Sequence, residues 1–169
     1  MLKLTRLGLA AATVSLGLVA TSAPAVALPD WRTARTVHRS DSTVRVLDLR
    51  YAEHRRFDRV VIELRGKKPG YRIAYTERLF YEGSGRPVRL AGRKKMYLAL
   101  VPASGHTDAG KPLYDGPRKL RVDLPTLRGI AYTGDWEGHV TFGFGTDRRA
   151  PYRIFTLTGP SRLVIDWKH

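Results

Sequence analysis

Residues 105–112, Gly105-His106-Thr107-Asp108-Ala109-Gly110-Lys111-Pro112, set two glycines and a lysine at the spacing of a phosphate-binding loop. Such a loop wraps backbone N–H groups around phosphate and needs a Ser or Thr after the lysine to hold magnesium, with a strand before it and a helix after it. Pro112 stands where the hydroxyl is required and nothing helical follows, so nucleotide binding is not expected. The histidines, His38, His54, His106, His139 and His169, are scattered, and none forms the i, i+4 pair or close carboxylate cluster of a zinc site. Ser84 and Ser161 lie in Gly/Pro turns, outside the strand-to-helix elbow that exposes a nucleophilic hydroxyl. Asp135 and Glu137 flank Trp136 in a turn. Carboxylates so close together in a turn cap backbone amides or face water, whereas a glycosidase pair faces a cleft of about 5 to 9 Å. Trp136 itself is a candidate for stacking on a sugar. No catalytic residue, metal ligand or cofactor is assigned.

What remains is charge. The chain carries 30 Lys and Arg against 15 Asp and Glu, a formal net charge of +15. Four clusters are candidates for anion binding: Arg55-Arg56 with Arg59, Lys67-Lys68, Arg93-Lys94-Lys95, and Arg148-Arg149. A positive field of this size attracts polyanions at long range and through counterion release, without selecting among them. Each cluster alone has a simpler explanation, since charges on turns and sheet edges keep sheets from pairing with one another. A shared binding patch requires several of these turns to meet at one end of the fold.

The compartment narrows the choice of anion. Residues 1–27 run from a basic stretch with Lys3 and Arg6 through an apolar run, 7–20, into Ala25-Val26-Ala27, the pattern of a cleavable signal peptide. The apolar run is shorter than the roughly 18 to 20 residues of a spanning helix. An exported protein meets cell-wall polymers, anionic lipid surfaces and peptide carboxylates rather than nucleic acid. The absence of cysteine excludes disulfides, thiolate zinc sites, a thiol nucleophile and lipid attachment through an N-terminal cysteine.

These groups must be positioned by strands, because the apolar pattern has no helical period. Residues 28–42 lack periodicity and read as a basic, disordered leader. From 43 to 169 the chain is one domain of short β-branched and aromatic runs between Gly, Pro and Asp turns. Strands are expected over 43–49, 57–64, 71–75, 87–90, 96–101, 127–133, 139–144, 152–157 and 162–167, about nine in all. Val60-Val61-Ile62 suits a central strand, while Val140, Phe142 and Phe144, like Leu163, Ile165 and Trp167, alternate as if one face were buried. The pattern predicts a two-sheet antiparallel sandwich or a partly closed barrel. Residues 102–123, rich in Gly and Pro, are expected as a surface loop. Gly70-Tyr71-Arg72-Ile73 is echoed by Pro151-Tyr152-Arg153-Ile154. Arg59, Arg162, Glu63 and Asp166 are expected to form cross-strand ion pairs on a solvent face.

Several segments together carry a family resemblance: Phe57-Asp58-Arg59-Val60-Val61-Ile62-Glu63-Leu64, Pro69-Gly70-Tyr71-Arg72, Tyr81-Glu82-Gly83-Ser84-Gly85, Tyr114-Asp115-Gly116-Pro117, residues 150–157 and residues 160–166. In order and spacing the chain resembles, from about Val44 to Trp167, the AMIN-like domain family of exported actinobacterial proteins. That family takes its name from the AMIN domain, an all-β accessory module of cell-wall amidases and secretins. The resemblance implies a β-sandwich and an envelope role, and it supplies no catalytic residues. It fits a noncatalytic module that attracts cell-wall or membrane polyanions through a basic surface, with oligomeric state left open. The alternative is an interaction module that holds an exported protein at a sheet edge or in an apolar groove.

Overall fold

Period-two burial organises the chain into eleven strands in a computed structural model that describes residues 27–169. The expected signal peptide, but for Ala27, lies outside the described residues. The strands are β1 (Thr36–His38), β2 (Val44–His54), β3 (Phe57–Arg65), β4 (Tyr71–Thr76), β5 (Lys94–Leu100), β6 (Ala103–Ser104), β7 (Lys119–Arg121), β8 (Leu127–Trp136), β9 (His139–Thr146), β10 (Tyr152–Leu157) and β11 (Arg162–Lys168). They form a six-stranded sheet, β1-β4-β5-β9-β8-β7, and a five-stranded sheet, β10-β11-β3-β2-β6. The two make a sandwich in which one sheet curls into half a barrel. Every pairing is antiparallel except the short β2–β6 contact.

The core follows from the alternation. Val60, Ile62 and Leu64 of β3, central in its sheet, and Trp167 of the neighbouring β11 share one buried cluster with Leu98 and Leu100 of β5 and Phe142 and Phe144 of β9 in the other sheet. Phe144 and Trp167 lie with ring centroids 5.1 Å apart, joining the two sheets. Burying side chains of this size contributes roughly 1.5–3 kcal/mol each.

Four expectations need correction. Residues 87–90 form no strand: the segment between β4 and β5 folds over the outer face of the six-stranded sheet as a flap, closed by a Phe80–Pro87 bridge and by Val88 N–H donating to Leu79 O at 2.8 Å. Leu79, Val88 and Ala131 form a second small core beneath it. As a result β9 is buried on both faces. Its alternate residues are Thr141, Gly143 and Gly145 because the flap needs room, and a Cβ on Gly143 would stand 2.7 Å from the Leu79 side chain. Residues 102–123 are not wholly a surface loop, for β6 and β7 lie within them and Tyr114 is buried against Tyr132.

The leader is ordered where it meets the seam between the sheets. Arg32 exchanges both main-chain hydrogen bonds with Tyr152, at 2.9 and 2.8 Å, and β1 pairs with β4. The Tyr152 hydroxyl donates to Ala34 O at 2.6 Å, and Trp31 lies under the Arg153 guanidinium, 4.5 Å from its ring centroid. Composition hid this because the segment has few apolar residues and is held by main-chain bonds and one aromatic ring. The internal echo marks the starts of β4 and β10, the two strands that this strap joins.

The fourth correction concerns the ion pairs. Arg59 and Asp166 are opposite each other across β3–β11, as are Glu63 and Arg162. Asp166, however, is fully buried, and the Arg59 and Arg153 guanidinium groups close over it at 2.6 and 2.7 Å. Phe57 and Phe155 pack against both arginines, so the carboxylate is shielded from water while the arginines stay partly exposed. Glu63 instead takes Arg50 of β2.

Candidate functional site

Where each strand ends decides which basic turns meet. The β2–β3 hairpin carries Arg55-Arg56, and His54 pairs with Phe57 beside it. Lys168, the last residue of β11, pairs with that same Phe57. Tyr152 pairs with Trp167, which sets the β9–β10 turn with Arg148-Arg149 at this end too. Lys94 pairs with Thr146, bringing the start of β5 alongside the end of β9. Three of the four clusters therefore share one end of the sandwich. Lys67-Lys68, between the end of β3 and the start of β4, lie at the other.

A buried carboxylate ties this end together. Asp58 is fully buried and accepts the N–H groups of Thr126 and Leu127, each at 2.7 Å, while His169 Nε2 lies 2.8 Å from its other oxygen. His169 N–H in turn donates to Arg56 O at 3.0 Å. One aspartate at the start of β3 thus holds the entry to β8, the end of β11 and the hairpin in fixed relation. Backbone donors to a buried carboxylate are among the stronger hydrogen bonds in proteins.

The clustered cations then divide by partner. Arg59 is occupied by Asp166, and Arg93 by Asp147 at 3.3 Å. The Lys95 ammonium sits on the carbonyls of Leu90 and Gly92, and its desolvation lowers its pKa from the usual lysine value. Arg55, Arg56, Lys94, Arg148 and Arg149 have no carboxylate partner among the described residues. Two shallow concavities run between them. One, of about 450 Å³, is lined by Tyr75, Thr76, Glu77, Arg93, Lys94, Lys95 and Arg149, whose guanidinium lies 5.4 Å from the Tyr75 ring centroid. The other, of about 190 Å³, is lined by Trp31, Arg56, Phe57, Arg153 and Lys168. Arg148 reaches toward Lys168 O at 3.5 Å between them. Lys168 and Arg153 join this surface without having stood out in the sequence, because each is a lone cation within a strand. Only the β3–β11 and β10–β11 registers bring them there.

At the opposite end Trp136 closes β8 and is 64% exposed. Glu137 and Gly138 both take positive φ, 48° and 76°, the two-residue turn that matches strand twist. Asp135 accepts Gly105 N–H at 3.0 Å and meets His106 Nδ1 at 2.8 Å, so it caps the loop after β6. Ser104 is near, but its hydroxyl donates to His106 O at 3.0 Å rather than to the ring, and these three side chains form no relay. Residues 105–112 close as a bridged loop, His106 against Pro112, with no helix after them. Among the described residues no cluster of three His, Cys, Asp or Glu is placed to hold a metal ion.

No curated protein matches the chain. A family model does, under the description AMIN-like domain, over residues 44–169, from the first residue of β2 through the His169 that clasps Asp58. AMIN-like domains are accessory, noncatalytic modules of exported cell-envelope proteins. The chain belongs to the AMIN-like domain family.

Proposed function

We propose that this protein is a noncatalytic envelope module that works outside the cytoplasm and holds an anionic polymer of the cell wall, or the anionic membrane surface, at the end of the sandwich where its basic turns converge. The observation that carries the reading is the meeting of Arg55-Arg56, Lys94 and Arg148-Arg149 at one end, joined through strand register by Lys168. Guanidinium and ammonium groups on a rigid rim, free of carboxylate partners, suit repeated phosphate or carboxylate groups. Arg59 is engaged by Asp166, and Lys67-Lys68 lie at the other end of the sandwich. Trp136 remains a proposed sugar-stacking ring, exposed beside a cleft that also presents Arg45 and His106.

Sedimentation of purified protein with isolated cell walls, and with vesicles containing anionic lipid, tests this. A bound fraction at low salt that falls steeply as salt rises is expected. The absence of binding to either at low salt would sink the reading.

A further inference from the structure

A second surface lies outside the basic end and differs from it in chemistry. A groove of about 510 Å³ runs along the outer face of β4, between that strand and the flap. Ala74 and Tyr97, which pair across β4–β5, stand at its floor, and Leu79, Phe80 and Tyr81 of the flap form an apolar wall. Phe80 is 47% exposed there. The small Ala74 between larger neighbours leaves a depression sized for an apolar side chain.

The rim is positive. Arg35, Arg72 and Arg78 border the groove, and none is in an ion pair among the described residues. The carboxylate on this rim, Glu82, accepts the Tyr97 hydroxyl at 2.9 Å. One flank is also an open sheet edge. Val101 N–H donates to Gly70 O across to β5, so by strand alternation Arg72 and Ala74 turn their main chain to β5 while Tyr71, Ile73 and Tyr75 turn theirs the other way. β1 covers Tyr71 and Ile73 through His38 and Thr36 and then leaves the sheet for Tyr152, which leaves Tyr75 without a strand partner.

We infer that this groove binds an extended acidic peptide segment of an exported protein. Its apolar side chain sits on Ala74 and Tyr97 against Phe80, its carboxylates meet Arg35, Arg72 and Arg78, and its main chain pairs with Tyr75. A strand edge beside a side-chain pocket is the geometry of β-strand addition, where the edge supplies affinity and the pocket selects the residue. A sugar or lipid would use the aromatic wall and the arginines but would leave the main-chain groups of Tyr75 unanswered.

The test is selection from a random twelve-residue peptide display library against the purified protein, followed by fluorescence polarisation of the enriched peptides. The expected consensus is an apolar residue flanked by Asp or Glu. The double variant R72E/R78E, both sites exposed, should weaken binding by about tenfold or more, as should replacing the peptide's carboxylates with amides. Neutralising Arg55 and Arg56, in the β2–β3 hairpin of the basic end and outside the groove, should leave peptide binding within about twofold, while wall sedimentation falls. Enrichment of no peptide, of peptides without carboxylates, or of peptides that bind R72E/R78E as well as the parent overturns the inference. So does displacement of the selected peptide by a wall glycan fragment or anionic vesicle in place of any measurable polypeptide specificity. A parent protein that binds peptide but shows no wall or vesicle binding at low salt would sink only the polymer reading, and the converse only this one.

Discussion

Charge removal at the two ends of the sandwich makes the sharpest prediction, because the fold separates clusters that composition cannot distinguish. Of the eight clustered cations at the converged end, Arg59, Arg93 and Lys95 are engaged by Asp166, Asp147 and two carbonyls, leaving five without a carboxylate partner among the described residues. If all five meet a polymer with nucleic-acid-like charge spacing, the logarithm of the binding constant should fall with the logarithm of salt at a slope of about −3.5 to −4.5, from roughly 0.7–0.9 per contact. The triple variant R56Q/K94Q/R149Q should reduce the slope to about −1.4 to −1.8. K67Q/K68Q, which removes two charges at the far end, should change the slope by less than about 0.5, because exposed charges beyond a Debye length of roughly 8–10 Å are screened. The assay is sedimentation with isolated walls over a salt series, with melting curves to show that both variants stay folded. Equal loss of slope per charge removed in the two variants would mean that only net charge matters, and the convergence of turns would have no functional weight.

Three further outcomes follow from the same geometry. Asp58→Ala strands two buried N–H groups, those of Thr126 and Leu127, and frees His169; a loss of about 3–5 kcal/mol is expected in denaturant melts, with Asp58→Asn losing less. Stability unchanged by Asp58→Ala would refute the clasp. Trp31→Ala removes the ring beneath Arg153 and should cost about 1–2 kcal/mol, with faster amide exchange at Arg32 and Tyr152; no change at either amide would return the strap to a passive leader. Burial raises the pKa of Tyr114, Tyr132 and Tyr152 above the usual tyrosine value. The folded state therefore holds protons that the unfolded state releases near pH 10, so the stabilisation is complete below about pH 10 and is lost as pH rises toward the folded values. Phenolate absorbance should lag the exposed-tyrosine titration and appear together with unfolding; a tyrosine titration complete in the folded protein would contradict the burial.

The strands were legible because their signal is local. Val60, Ile62 and Leu64, or Leu163, Ile165 and Trp167, state in their own spacing which way they point. What escaped was decided by partners distant in sequence. The 87–90 segment has strand-forming residues but spends its hydrogen bonds on the flap, and nothing in Val88 or Leu90 announces that the flap lies over Gly143, beneath Leu79, and Gly145, beneath Leu90 and Ala91. The strap escaped for the opposite reason, since Arg32 and Thr36 become ordered through Tyr152 and Ile73, far along the chain. Asp166 read as a solvent-facing charge because alternation places it opposite Arg59, yet alternation cannot show that Arg153 and two phenylalanines close above it. For the candidate site the residue types were legible and their convergence was not. A cluster such as Arg148-Arg149 is visible anywhere, whereas its nearness to Lys94 and Lys168 exists only once β5, β9, β10 and β11 are in register.

That dependence on register has a mechanical consequence. Tyr75 and Thr76 border both the groove and the basic concavity, so the last residues of β4 are common to the two proposed surfaces. Tyr75 donates its hydroxyl to Ala150 O at 2.7 Å, beside Arg148-Arg149, and its ring packs at 6.3 Å against Tyr152, the residue that anchors the strap. A peptide paired to the open main chain of Tyr75 would stiffen the strand that carries this hydroxyl, and through it the β9–β10 turn. Linkage then requires that a polymer on Arg149 favour the peptide as much as the peptide favours the polymer. Tyr75→Phe keeps the ring and removes the hydroxyl bond to Ala150. It should leave each ligand's separate binding nearly intact while reducing any coupling between them, and coupling that survives the substitution would show that the two surfaces communicate, if at all, by another route.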